Sequence, residues 1–270
     1  MRADVNGAGT PHTVLCARVF YVLMHLLVFS VFFMYPNDLV DGFAEISGAS
    51  YTFMLLKAVA VVLFFTCHYN PGYLREFPVG TEFDHKTVSD WEPPQQRFCE
   101  YCQLLQPYRT KHCKKCEECV LKYDHHCFWL GSCVGEGNHF RFVCYLCVEC
   151  VCLLWAAYNC LSGLKADLEA YGGFVVAFLV SAGFGILVTG LAGYHLYLIS
   201  MGATTWELWS REKIDYMRSY PPTFNPFSEG LLQNWKTATC PSGAPKAWVP
   251  PKPLAVYPFN WCENEYWSCC

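Results

Sequence analysis

The sequence predicts an all-α membrane protein of four transmembrane helices, with a cysteine-rich domain inserted between the second and the third. Three observations predict it: four apolar runs of membrane-spanning length, a Lys/Arg count that differs sharply between the connections, and seven of the 18 cysteines gathered between Cys99 and Cys133. Of 270 residues 53% are apolar and 16% charged, with a mean hydropathy of +0.18, more apolar than a fully solvated surface allows. Aromatic content of 17% excludes intrinsic disorder, and a net charge of −4 from 19 basic and 23 acidic residues argues against nucleic-acid binding.

The runs Leu15 to Tyr35, Ser50 to Tyr69, Phe140 to Leu161 and Gly173 to Ile199 approach or exceed the roughly 20 apolar residues that cross a bilayer core as a helix. Lipid offers the backbone no hydrogen-bond partner, so each should be helical. Tyr35, Tyr51, Tyr158, Tyr171 and Tyr197 stand at or near their ends, where aromatic rings anchor a helix at the interface. The first run is too long for a cleavable signal and lacks a small-residue cleavage site after it.

Orientation follows from the connections. The loop 70–139 holds eight Lys and Arg and the tail 200–270 holds six, whereas Pro36 to Ala49 has none and Ser162 to Gly172 only Lys165. Positive charge collects on the cytoplasmic side, so the arm 1–14, the loop 70–139 and the tail are expected to be cytosolic. Prolines from Pro221 to Pro258 break any long helix in the tail, and its tryptophans, Trp206 to Trp267, suit a segment lying along the membrane face. The terminal doublet Cys269-Cys270 resembles a lipidation site, although a pair of terminal thiols is more often incidental.

Within the central loop the order is Cys99-x2-Cys102, His112-Cys113-x2-Cys116-x2-Cys119, Asp124-His125-His126-Cys127 and Cys133. Cys-x2-Cys knuckles place two thiolates in one tetrahedron, and knuckles followed by His and Cys are what structural zinc sites use. Buried structural cysteines would account for those of the third span but not for these, in a polar, Lys-rich loop. Two tetrahedral sites need eight ligands. Should His112 and one of His125 and His126 serve, six cysteines complete two Cys3His sites and one cysteine is left over, with Cys127 the best candidate because it adjoins a ligand.

A spare thiol beside an imidazole and a carboxylate has a chemical use, since the imidazole takes the thiol proton and the carboxylate fixes its tautomer. Asp124, His125 and Cys127 supply that set. A loop hydrogen bond would account for Asp124 and His125 equally well, and spacing alone does not separate the two readings.

This register resembles the DHHC protein S-acyltransferases, or palmitoyltransferases. The resemblance runs closely from Cys99 to Phe142, through Pro107-x-Arg109, the Cys and His pattern, Asp124-His125-His126-Cys127, Cys133 and Asn138-x3-Phe142. Thr204-Thr205-Trp206-Glu207 is similar to the family's Thr-Thr-x-Glu motif, and Asn225-Pro226-Phe227 to its C-terminal aromatic and Asn-containing motif. The resemblance implies two structural zinc ions in a cytosolic domain, one on Cys99, Cys102, His112 and Cys119, the other on Cys113, Cys116, His126 and Cys133. It implies Cys127 as the acylated nucleophile, His125 as its base and Asp124 as the orienter of His125, with Thr204 or Thr205 bracing the catalytic loop and Glu207 and Asn225 in supporting motifs. Palmitoyl-CoA as co-substrate, membrane-associated proteins as acceptors, a ping-pong sequence through an acyl-cysteine, and an endomembrane location, Golgi foremost, are implied in the same way. Phe128 stands where the family commonly has Pro, and Asn70-Pro71-Gly72 where Asp-Pro-Gly is usual; neither removes a ligand or a catalytic group.

The membrane suits such chemistry, because each buried acyl methylene gains about 0.8 kcal/mol while a coenzyme A headgroup stays in water. Arg109, Lys111, Lys114, Lys115 and Lys122 are candidates to meet its phosphates or, equally, anionic lipid headgroups. Lys57 and Glu149 are expected to pair between helices; with His25 and His195 they form no repeated pathway of the kind a transporter needs. A non-catalytic zinc-domain membrane adaptor is the alternative, and it leaves Asp124, His125 and Cys127 unexplained.

Overall fold

A computed structural model of the chain describes residues 11–35, 37–75, 96–166, 171–222, 224–239 and 250–253. Residues 1–10 of the expected N-terminal arm, Trp248, Trp261, Trp267 and the Cys269-Cys270 doublet lie outside the described residues. Among those described, the α-helices are α1 (Pro11–Met34), α2 (Asp38–Ala44), α3 (Gly48–Cys67), α4 (His139–Ala166), α5 (Tyr171–Met201), α6 (Thr205–Trp209) and α7 (Leu231–Thr239).

The helices α1, α3, α4 and α5 are long and apolar enough to cross a membrane, which makes this a multi-pass membrane protein. The shortest, α3, has 20 residues, and at about 1.5 Å per residue it matches a hydrocarbon core of about 30 Å. Leu23, Leu55, Leu179 and Ile186 point outward, as lipid-solvated helices require, while two apolar cores fill the bundle. One contains Phe32, Phe53, Ala156, Cys160 and Phe174; the other, nearer the cysteine-rich region, contains Tyr21, Phe64, Tyr145, Leu146 and Ala192. Between α4 and α5 the Phe174 ring packs so closely on Gly163 that a Cβ there would lie 2.3 Å from it.

Helix ends are tied by side chains. Asn37, 1% exposed, accepts from the amides of Leu39 and Val40 to cap α2 and donates to the carbonyls of Phe32 and Tyr35 at the end of α1. Asn138 and Arg141, at the start of α4, donate to the orphan carbonyls that close α3: Asn138 to Cys67 at 2.6 Å and Arg141 to Thr66 at 2.8 Å. Helix α5 ends in Gly202, whose φ of +64° lies in the left-handed region that favours glycine there. Its last carbonyls accept from Asn225 (to Met201, 2.6 Å) and Asn234 (to Ser200, 2.8 Å), which docks the C-terminal segment under the bundle.

The cysteine-rich region carries seven strands of two or three residues: β1 (Tyr73–Leu74), β2 (Arg97–Cys99), β3 (Leu104–Gln106), β4 (Lys111–Cys113), β5 (Glu118–Val120), β6 (His125–Cys127) and β7 (Ser132–Val134). They form antiparallel sheets in the orders β1-β5-β4, β2-β3 and β6-β7. Asn70 adopts φ +47°, a left-handed conformation that Asn accepts readily, so its place in Asn70-Pro71-Gly72 fits the turn it makes. That turn holds the cysteine-rich region to the membrane end of α3, through Leu121 N–H to Gly72 O at 2.8 Å.

Candidate active site and metal clusters

Two groups of four side chains converge in the cysteine-rich region. The donor atoms of Cys99, Cys102, His112 and Cys119 all lie within 4.8 Å of one another, and so do those of Cys113, Cys116, His126 and Cys133. In the first, β4–β5 register sets His112 opposite Cys119, with His112 Nδ1 3.3 Å from Cys102 Sγ and 3.9 Å from Cys119 Sγ. In the second, β6–β7 register sets His126 opposite Cys133, and His126 Nδ1 stands 3.5, 3.3 and 3.7 Å from the sulfurs of Cys113, Cys116 and Cys133. The knuckle turns need left-handed residues, supplied by Gln103 at φ +55° and Glu117 at +57°. Gln106 Nε2 donates to Cys119 Sγ at 3.1 Å, an outer contact of the kind that fixes a thiolate ligand. Each set, three thiols and one imidazole, is a closed tetrahedral complement that can bind a metal ion.

Strand β6 then explains how one short stretch serves two purposes. Successive strand side chains point to opposite faces, so while His126 faces the metal cluster, His125 and Cys127 face the other way together. His125 Nδ1 lies 2.7 Å from Asp124 Oδ2, and Asp124, 1% exposed, accepts at Oδ1 from the Thr205 amide at 2.8 Å. With Nδ1 so engaged, Nε2 of His125 is the nitrogen left for Cys127. Burial alone would lower the His125 imidazole, but the hydrogen bonds of Asp124 and Cys127 outweigh it and raise it to about 10. Burial likewise pushes the Asp124 carboxyl up, and His125 with its neighbouring imidazoles outweighs this and holds it well below the usual carboxylate range.

The supporting residues form a chain behind this pair. Thr204 caps α6 and exchanges a reciprocal capping box with Glu207, which places the Thr205 amide against Asp124. The brace is thus the Thr205 backbone rather than a threonine hydroxyl. Glu207 in turn accepts two hydrogen bonds from Arg109, which also donates to the Gly202 carbonyl and lies 4.5 Å from the Phe227 ring centre. Arg109, a candidate for phosphate contact on sequence grounds, is therefore committed to a buried ion pair. The Pro107-x-Arg109 motif was the available signal for it, and nothing in the sequence told which acid it would meet. Asn225 sits farther off, bracing the Phe227 amide at 3.1 Å and the end of α5.

Cys127 opens onto a cavity of about 360 Å³ that descends between α1, α3, α4 and α5. Its walls are mostly apolar, including Phe128, Trp129, Tyr145, Leu146 and Phe184. Phe128, in the position where Pro is common, contributes an aromatic ring to this cavity. Glu149, Lys57, His25 and Tyr21 line it too: Glu149 Oε1 is 2.7 Å from Lys57 Nζ and 3.3 Å from His25 Nε2, and Tyr21 donates to Oε2 at 3.5 Å. The expected Lys57–Glu149 pair exists and has two further members, which spacing alone did not reveal.

Comparison with known proteins agrees with this geometry. Residues 92–212 match the family model described as DHHC palmitoyltransferase. The chain is 38% identical to human palmitoyltransferase ZDHHC12 over 204 residues, covering 72% of this chain and 76% of that protein. It is 36% identical over 162 residues to Arabidopsis thaliana protein S-acyltransferase 10, covering 57% and 48% respectively, and 34% identical over 169 residues to human palmitoyltransferase ZDHHC20, covering 60% and 43%. A match over 72% of the chain extends well beyond the cysteine-rich region, and the chain belongs to the DHHC palmitoyltransferase family as a protein S-palmitoyltransferase.

Proposed function

We propose that the enzyme transfers a long-chain acyl group from palmitoyl-CoA to cysteines of membrane-associated proteins by a ping-pong route through an acyl-cysteine on Cys127. The observation that carries the reading is the Asp124–His125 pair, at 2.7 Å, on the strand face shared with Cys127 at the mouth of an apolar cavity. His125 Nε2 holds the proton of Cys127 as an imidazolium, and the Cys127 thiolate attacks the thioester carbonyl carbon. The carbon–sulfur bond to coenzyme A breaks, and the departing thiolate takes the proton from His125. An acceptor cysteine then gives its proton to His125, attacks the acyl carbon and frees the Cys127 thiolate, which pairs again with the His125 imidazolium. Asp124 holds His125 in the required tautomer and stabilises the imidazolium throughout.

Donor binding follows from the two cavities. The acyl chain fits the apolar one, gaining about 0.8 kcal/mol per methylene it removes from water. A second cavity of about 330 Å³, lined by Lys111, Lys213, Trp206 and Tyr216 beside the Arg97–Asp215 ion pair, offers cations and aromatic faces to the coenzyme A headgroup. Zinc suits both Cys3His sets and would fold the cysteine-rich region around the site, with ligands Cys99, Cys102, His112 and Cys119 in one and Cys113, Cys116, His126 and Cys133 in the other. The Lys/Arg asymmetry supports a cytosolic active site, and the resemblance to the family supports an endomembrane, Golgi foremost.

Incubation of the purified full-length protein with an alkynyl palmitoyl-CoA tests the reading. A hydroxylamine-sensitive label is expected, absent in Cys127→Ser although that variant retains its zinc. A full label in Cys127→Ser would overturn the assignment.

A further inference from the structure

A polar side chain from the membrane helices reaches the catalytic corner. The donor atoms of Asp124, His125 and His195 all lie within 4.8 Å of one another, and His195, on α5, is 2% exposed. Its ring centre is 5.6 Å from that of His125 and 5.1 Å from that of Phe142, which also meets His125 edge-on at 5.7 Å. The His125, Phe142 and His195 rings thus form a triangle, with Phe142 and His195 packed on each other and both against His125. Behind His195 stands His139, the first residue of α4, with His139 Nε2 3.0 Å from His195 Nδ1.

A polar ring in an apolar span is costly unless something uses it. Two nitrogens at 3.0 Å share one proton, so one ring donates and the other accepts. The buried Asp124 carboxylate decides which. A lone pair of His195 turned toward it would be repelled, whereas an N–H would be attracted directly or through one water. With Nδ1 facing His139, Nε2 is the nitrogen of His195 available to donate toward Asp124, and in that tautomer Nδ1 accepts from His139.

We propose that His195 is a positioning residue for acyl transfer: with its tautomer set by His139, it holds the Asp124–His125 pair in the geometry that activates Cys127. The inference rests on the roles proposed above for Asp124, His125 and Cys127. His195 also packs the start of α4 and the end of α5 against the catalytic loop, so the membrane bundle and the cysteine-rich region meet at one corner.

Single-turnover acylation of the full-length protein, over a series of palmitoyl-CoA concentrations, is the test. His195→Leu should keep its metal content and its half-saturating donor concentration but lower the maximal acylation rate about tenfold or more. His195→Asn, which keeps a side-chain N–H donor, should recover most of that rate. His139→Leu, which leaves the His195 tautomer unfixed, should fall between. Acylation of His195→Leu within about twofold of wild type overturns the inference, as does an Asn variant as slow as the Leu variant. Should His195→Leu lose metal, the Asn variant alone decides. A wild-type label that survives Cys127→Ser would instead overturn the site assignment on which the inference stands, whereas a Cys127-dependent label that ignores His195→Leu overturns the inference alone.

Discussion

Arg109 and Glu207, 98 residues apart in sequence, meet in two parallel charge-assisted hydrogen bonds of 2.6 and 2.7 Å with their side chains almost wholly excluded from solvent. Through Thr204 and Thr205 this pair sets the position of Asp124. Removing one partner of such a pair strands the other charge, which costs about 3–5 kcal/mol. Arg109→Ala and Glu207→Ala should each lower the melting temperature and the acyl-label yield together, and Arg109→Lys should rescue neither, since a single ammonium does not replace the fork. A stable, fully labelled Glu207→Ala would contradict the brace.

Asp124→Asn should fold and keep its metal, yet form acyl-enzyme about 10²–10⁴-fold more slowly, because the amide favours the wrong tautomer of His125. The His125 titration supplies an independent check. Its folded value, raised to about 10, means the imidazolium is favoured by folding. The stability this lends is complete below the unfolded value of about 6.5 and is lost as pH rises through about 10. In Asp124→Asn the His125 ring signals should titrate lower, by NMR, and stability near pH 7 to 9 should lose that dependence.

Two zinc ions per chain are expected in elemental analysis, one for each donor set. Cys102→Ala should lose the first and Cys116→Ala the second, each with a fall in yield, since metal binding and ordering of the region are coupled. Unchanged zinc and unchanged stability in both variants would refute the ligand assignment.

Lys57→Met leaves Glu149 with a lost partner beside the cavity and should destabilise by about 3–5 kcal/mol, whereas Lys57→Met with Glu149→Leu should regain most of it. Thermal unfolding of the detergent-solubilised variants distinguishes this from simple additivity. Equal losses in the single and double variants would mean that the ion pair adds nothing to the bundle.

A cysteine placed at the exposed Ala44, on α2, should react with impermeant thiol reagents only from the side opposite Cys127. Labelling from the cytosolic side alone would reverse the orientation.

Much of the architecture was legible because lipid imposes it: a run such as 173–199, apolar but for a few residues, has few soluble alternatives. The metal sets were legible because knuckle spacing is rigid. Other features were not, because they depend on long-range meetings. Nothing local marks the pairing of Arg109 with Glu207, and His195 reads as one polar residue in an apolar span until α5 is packed against the catalytic loop. The strands were hidden for a different reason. At two or three residues, β1 to β7 are too short to show alternation, and they exist as arms between ligands rather than through strand propensity.

The hairpin of β6 and β7 has no slack. Its pairs are His125 with Val134, His126 with Cys133 and Cys127 with Ser132, and a slip of one residue would exchange the two faces of the strand. His126 would then turn to the side of the apolar cavity, while His125 and Cys127 would be presented to the cysteine cluster, the proposed nucleophile placed among the candidate ligands. The register of one three-rung ladder is thus a sorting device that keeps a candidate metal ligand, His126, and the proposed nucleophile, Cys127, neighbours in the chain, from trading occupations.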